Sequence, residues 1–276
     1  MDEFCTEGLK AYQLTPEEEY MEDRKTNGIG YITSSWPLDP AKSTIVFIHG
    51  AGGSSAFWRA QLEALGERAN SVAIDLPGHG QSNGNGHDRV EDYARAVVDF
   101  INSLYIPGPI PCGISLGGAI AQQLLIDFPD LFKAGILISS GSKLKVAPEI
   151  FDAIEKDLKG YVDMIVKLAV SKATDPDRVK NFEDDTARCK SEALIRDFRA
   201  CDRFDVMQRV GSITSPVLVV SAEDDLVTPP KYGDFMEKSI AKASRVHIME
   251  AGHIVPMEKP EEVNRAIMEF LGRTGL

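Results

Sequence analysis

The feature that most limits how this chain can fold is an alternation. Short unbroken runs of Val, Ile, Leu and Phe are each stopped by turn residues and followed by a stretch with helical spacing. A strand that is apolar at every position, not at every second one, must be covered on both faces. Ser43–Ile48, Ser71–Ile74, a run near Ile110–Cys112, Ala134–Ile138, Pro216–Val220 and Arg245–Met249 read as such strands. Phe57–Leu65, Val90–Leu104 and Ala119–Phe128 carry helical periodicity between them, and Glu261–Leu271 closes the chain as an amphipathic helix. This pattern predicts an α/β fold: a mostly parallel sheet with helices on both faces. Tyr31–Ser35 reads as an early antiparallel strand at the sheet edge, and residues 1–27 carry no pattern that places them.

One stretch breaks the alternation. Residues 142–212 hold no strand-like run, only helical patterns with fourteen basic and fourteen acidic residues. The net charge of −12 falls on the rest of the chain. The shift predicts a helical cap, 142–212, inserted between two strands of a core domain formed by 1–141 and 213–276. Arg188, Arg196, Arg199 and Arg203 in that stretch are matched by acids, so a solvated, ion-paired face is expected in preference to a site for an anionic tail.

The acidic balance argues against a nucleic-acid partner, which needs a basic face for phosphates, and against docking on anionic lipid. Cys5, Cys112, Cys189 and Cys201 form no C-x-x-C pair. Residues 1–10 contain no apolar leader segment, and runs such as Ile45–Ile48 and Ile136–Ile138 are far below the ~20 residues that span a bilayer. A reduced cytoplasmic compartment is the expected location. No metal-ligand spacing occurs, and no cofactor is expected.

Gly113-Ile114-Ser115-Leu116-Gly117 is G-x-S-x-G set between a strand and a helix. A serine nucleophile must project from the fold, and a sharp strand-to-helix turn achieves this only if residues two away on each side are tiny. The helix that follows aims its dipole and free N–H groups at a developing negative charge. Serine also needs a base held by an acid. Of the five histidines, His253 follows the last strand and precedes the last helix, at the same carboxyl edge as Ser115. His247 lies within a strand and is expected to be packed; His79 and His87 sit in glycine-rich loops and are expected near the surface. Asp225, after the strand Pro216–Val220, is the candidate acid, with Asp224 as its rival and Glu223 behind. Leu116 and Ala51 are the candidate backbone donors of an oxyanion hole, the latter in the glycine loop His49–Gly53. Gly50, Phe57, Trp58 and Val255 are candidate substrate contacts.

With these residues in hand, the chain resembles the α/β-hydrolase superfamily from roughly Ile45 to Leu271. The motifs that carry the resemblance are HGAGG (49–53), DLPGHGQS (75–82), GISLGG (113–118), SAEDDLVTP (221–229) and AGHIVPMEKPEEV (251–263). It implies an eight-stranded, mostly parallel sheet, a helical cap over the site, and a supporting role for Asp75 in its loop. Two positions depart from the common pattern: Ile114 where many relatives have His, and Ala222 where many have Gly. A serine in this position implies hydrolysis of a small-molecule ester or thioester through an acyl-enzyme. Dehalogenases and epoxide hydrolases of the superfamily use aspartate there. A meta-cleavage C–C hydrolase is the second alternative, although Gly53 and Ile254 stand where those enzymes tend to carry proline and tryptophan. A non-catalytic ligand receptor on the same fold is the third.

Overall fold

The computed structural model describes residues 23–276, and its first strand is β1 (Arg24–Thr26). Cys5 and residues 1–10, where no leader segment is expected, lie outside the described residues. There follow β2 (Ile29–Thr33), β3 (Thr44–Ile48), α1 (Arg59–Leu65), β4 (Asn70–Ile74), α2 (Val90–Ser103), β5 (Pro109–Ile114), α3 (Leu116–Asp127) and β6 (Gly135–Ile138). Four helices come next: α4 (Pro148–Lys156), α5 (Leu158–Ala169), α6 (Lys180–Arg188) and α7 (Ser191–Arg203). The chain ends with β7 (Val217–Ala222), α8 (Lys231–Ser239), β8 (Ala243–Ile248), the one-turn α9 (Val255–Glu258) and α10 (Pro260–Thr274).

All eight strands join one sheet in the order β1-β2-β4-β3-β5-β6-β7-β8. Only β1–β2 and β2–β4 pair antiparallel. The expected early strand is β2, and it is not the edge: β1 pairs outside it. The sequence Arg24-Lys25-Thr26 of β1 is polar, so hydrophobic patterning is blind to it. β5 is longer than expected because Pro109 and Pro111 belong to it, and proline inside a run ordinarily argues against a strand.

Alternate side chains of each strand feed two cores. Val46 and Ile48 of β3 face Val97, Phe100, Ile120 and Leu124 of α2 and α3. Ile45 and Phe47 face Leu62 and Leu65 of α1 and Ile267 and Phe270 of α10. This two-sided burial is why the strands read as continuous apolar runs. Trp58 belongs to the second core: it is fully buried, its ring centroid 4.9 Å from that of Phe47.

The segment between β6 and β7 enters and leaves through a narrow neck. Lys143 bridges Asp205, and Val206 N–H donates to the Ser142 carbonyl at 2.8 Å. Beyond the neck, Ile154, Tyr161, Val162 and Leu194 form a small apolar cluster of their own. The four arginines singled out there are ion-paired at the surface: Arg188 with Asp184, Arg196 with Glu192, Arg199 and Arg203 with Asp88. No helix among the described residues is long and apolar enough to cross a membrane.

Candidate active site

Parallel strands in register end along one edge, so the residues that follow them share that edge. Ile48 pairs with Gly113, Ile114 with Ile138, and Ile138 with Val220. Ser115 follows β5 with φ 54° and ψ −117°, a backbone conformation that a side-chain-bearing residue adopts only under strain. The turn is held from both sides. Ser115 N–H donates to the Ile138 and Ser139 carbonyls, both at 3.1 Å, and Ser140 Oγ–H donates to the Ser115 carbonyl at 2.8 Å. A Cβ on Gly113 would overlap the Gly117 carbonyl, and one on Gly117 would overlap the Ile48 carbonyl. Both positions are closed to any larger residue.

The loop after β7 carries Asp225, nearly fully buried. Its oxygens accept from Val227 N–H (2.9 Å), Thr228 N–H (2.8 Å) and Thr228 Oγ (2.8 Å), and both lie within 3.1 Å of His253 Nδ1. Burial alone would raise its pKa; the His253 ring and these donors outweigh burial and hold the carboxyl below its ordinary range. Asp224 turns elsewhere and accepts from Ser171 Oγ at 2.6 Å. With Nδ1 engaged by Asp225, His253 keeps Nε2 for other chemistry. His253 and Ser115 line the same cavity.

That cavity offers about 60 Å³ to the centres of water molecules. Gly50, Ala51 and Phe57 contribute to its wall from the core, and Tyr161, Ile165 and Phe198 from the helical segment. The wall is overwhelmingly apolar. Trp58 and Val255, expected at the site, are not on it. Trp58 points into the core beneath Phe57, and Val255 is fully buried while its neighbour Ile254 takes the place on the wall. Leu116 is the first residue of α3, where an N–H has no acceptor within the helix. Ala51 borders the cavity directly, and Gly50 is held close: a Cβ there would sit 3.3 Å from Ser115 Cβ.

The glycine loop is fixed by two histidines whose protonation follows from their partners. His49 Nδ1 faces the Gly50 carbonyl at 2.7 Å, which can only accept, and Nε2 receives Leu76 N–H at 3.0 Å. The ring is neutral with its proton on Nδ1. Burial, then the charge of His79 with ring centroids 5.0 Å apart, lowers its pKa to about 4. His79 is buried, not at the surface as expected, because both its nitrogens have acceptors: the Pro77 carbonyl (3.2 Å) and Asp197 Oδ2 (2.9 Å). Burial opposes its charge, but the Asp197 carboxylate overrides this and raises its pKa well above 6.5. Asp197, on α7, also accepts from Gly52 N–H at 2.9 Å and from the Tyr93 hydroxyl. His87 is half-buried. His247 is exposed on β8, an edge strand, instead of packed.

Three supporting side chains escaped the sequence reading. Asp197 and Ser140 lie far along the chain from the groups they hold, with no local signal. Glu258 sits inside the AGHIVPMEKPEEV motif, among other charged residues from which the sequence does not single it out. It is buried and accepts from Gly252 N–H (3.0 Å), Ser171 N–H (2.9 Å) and Thr174 Oγ (2.6 Å). His253 N–H in turn donates to the Ala169 carbonyl at 2.6 Å. The histidine loop is thus tied to the end of α5. Asp75 accepts from Ser55 N–H (2.6 Å) and Gln81 N–H (2.8 Å), the supporting role expected of it.

Comparisons with known proteins bear on the fold and the family. The chain is 25% identical over 240 residues to 3-oxoadipate enol-lactonase 2 of Acinetobacter baylyi, covering 84% of this chain and 90% of that protein. A thermophilic esterase of known structure is 30% identical with a TM-score of 0.78, covering 92% of this chain and 98% of the other. The enol-lactonase from Burkholderia xenovorans LB400 shares the fold, with a TM-score of 0.80 at 19% identity and coverage of 91% and 100%. Residues 45–266 match the family model described as the alpha/beta hydrolase family, and the chain belongs to that family of hydrolases.

Proposed function

We propose that this hydrolase cleaves a carboxylic ester, or a thioester, of a small apolar acyl group through an acyl-enzyme on Ser115. The observation that carries it is the buried Asp225–His253 pair, whose histidine lines the same small cavity as Ser115. In the first step His253 Nε2 takes the Ser115 hydroxyl proton as Oγ bonds to the substrate carbonyl carbon. Asp225 keeps the proton on Nδ1 and stabilises the imidazolium. The Ala51 and Leu116 N–H groups receive the oxyanion. His253 then protonates the departing alkoxide or thiolate. Water, deprotonated by the same nitrogen, attacks the acyl-enzyme, and the carboxylic acid leaves as Ser115 regains its proton. Residues 142–212 act as a cap on a core of 1–141 and 213–276, closing the cavity with apolar side chains that exclude bulk water.

Hydrolysis of p-nitrophenyl acetate and butyrate tests this. Wild type should turn over, while Ser115→Ala and His253→Ala should each lose several orders of magnitude in kcat with the folded circular dichroism spectrum retained. Wild-type turnover that survives in Ser115→Ala would refute the assignment.

A further inference from the structure

We infer that Tyr161 is the back wall of the acyl site, setting the longest chain accepted, and that an unused extension lies behind it. The inference rests on the ester-hydrolysis reading above. Tyr161, on α5, lines two spaces at once. One is the cavity of about 60 Å³ that holds Ser115 and His253. The other is a groove of about 260 Å³ between α4 and α5, open to solvent, floored by Ala153, Gly160 and Met164 and rimmed by Asp152, Lys156 and Asp157. The ring is 3% exposed and packs edge-on to Phe198 with centroids 5.9 Å apart, so it is a fixed partition and not a surface side chain.

The size of the inner space makes the partition matter. A water needs roughly 10–15 Å³ on this measure, so the inner space of about 60 Å³ takes about four to six water-sized groups; with the carbonyl carbon and oxygen among them, that leaves an acyl tail of about two to four carbons. A longer tail must displace Tyr161. With the ring removed, the tail would run into the groove, over Ala153 and the partly exposed Met164, while the charged rim stays in water. Lys156 and Asp152 are already paired there at 2.9 Å and ask nothing of the tail.

The test is a p-nitrophenyl ester series from acetate to dodecanoate with wild type, Tyr161→Phe, Tyr161→Leu and Tyr161→Ala. Wild type and Tyr161→Phe should share a profile whose kcat/KM falls steeply beyond butyrate. In Tyr161→Ala the ratio of octanoate to acetate should rise at least tenfold, and in Tyr161→Leu by a smaller factor that carries the test should the alanine variant fail to fold. An unchanged ratio in both variants would overturn the inference, as would a wild type that already prefers octanoate. Calorimetric titration with sodium octanoate, in a Ser115→Ala background with and without the Tyr161 changes, reads the wall without turnover. Removal of the ring should tighten octanoate at least tenfold, and equal binding would overturn the inference. Absence of ester turnover in wild type would defeat the hydrolysis reading alone and leave the calorimetry to decide the wall.

Discussion

Asp197→Asn should be one of the most damaging single-atom-scale changes in the molecule. The carboxylate is fully buried and faces three donors: Gly52 N–H, the Tyr93 hydroxyl and the His79 ring. The amide removes the charge that keeps His79 protonated and brings an NH₂ group into a ring of donors. Removing one member of a buried ion pair costs about 3–5 kcal/mol. For a domain of this size each kcal/mol moves Tm by roughly 2–4 °C, so the fall is about 10 °C. The pH dependence has a definite sign. His79 has its folded pKa raised above 6.5, so its stabilising contribution is full below pH 6.5 and fades as pH rises through the raised value. The gap between wild type and Asp197→Asn should be widest near pH 6 and narrow by pH 9. Scanning calorimetry at both values decides it. Melting temperatures within 2 °C at pH 6, or a gap that widens with pH, would refute the reasoning.

Other outcomes follow from the same geometry. Ser115→Gly should be more stable than Ser115→Ala by about 1 kcal/mol in urea unfolding, since glycine relieves the strain at φ 54°. His49, with its pKa lowered to about 4, binds its proton less readily folded than unfolded. Stability should drop by about 3 kcal/mol as pH falls from 6.5 to 4, and His49→Gln should flatten that limb of a pH–stability curve. Glu258→Gln should lower kcat about 10- to 100-fold by loosening the His253 loop while KM holds, as steady-state kinetics would read. A change in KM alone would disprove that role.

Much of the fold was legible because burial on two faces leaves a continuous apolar signature. β3, β4, β6 and β7 carry it plainly. β1 was silent because Arg24, Lys25 and Thr26 are polar, and β5 was shortened by its prolines. The candidates Ser115, Asp225 and His253 could be picked out because each follows a strand end, where turn chemistry is written locally; the structure sets Asp225 against His253 and puts His253 on the cavity that Ser115 lines. Phe57 and Trp58 were not separable: in the tight 3₁₀ turn Ser55–Trp58, adjacent side chains diverge by about a third of a turn, which takes one to the cavity and the other, still packed against it, to the core. Asp197 was invisible for a different reason. Its partners Gly52 and His79 lie more than a hundred residues away, and an ion pair across that separation leaves no mark on either neighbourhood.

The attachment of the histidine loop to residues 169–174 sets a rule for recombination. Exchange of the helical segment is an obvious route to new substrates, because the neck at Lys143 and Asp205 offers a natural splice. Yet Ala169, Ser171 and Thr174 hold the backbone of Gly252 and His253 through one carbonyl and one buried carboxylate. A graft that keeps this patch imports a new ceiling over an undisturbed Asp225–His253 pair. A graft that replaces it leaves Glu258 of the loop on Gly252 N–H but removes the donors that fix that carboxylate and the carbonyl that takes His253 N–H, and should import the donor's specificity at a loss of turnover.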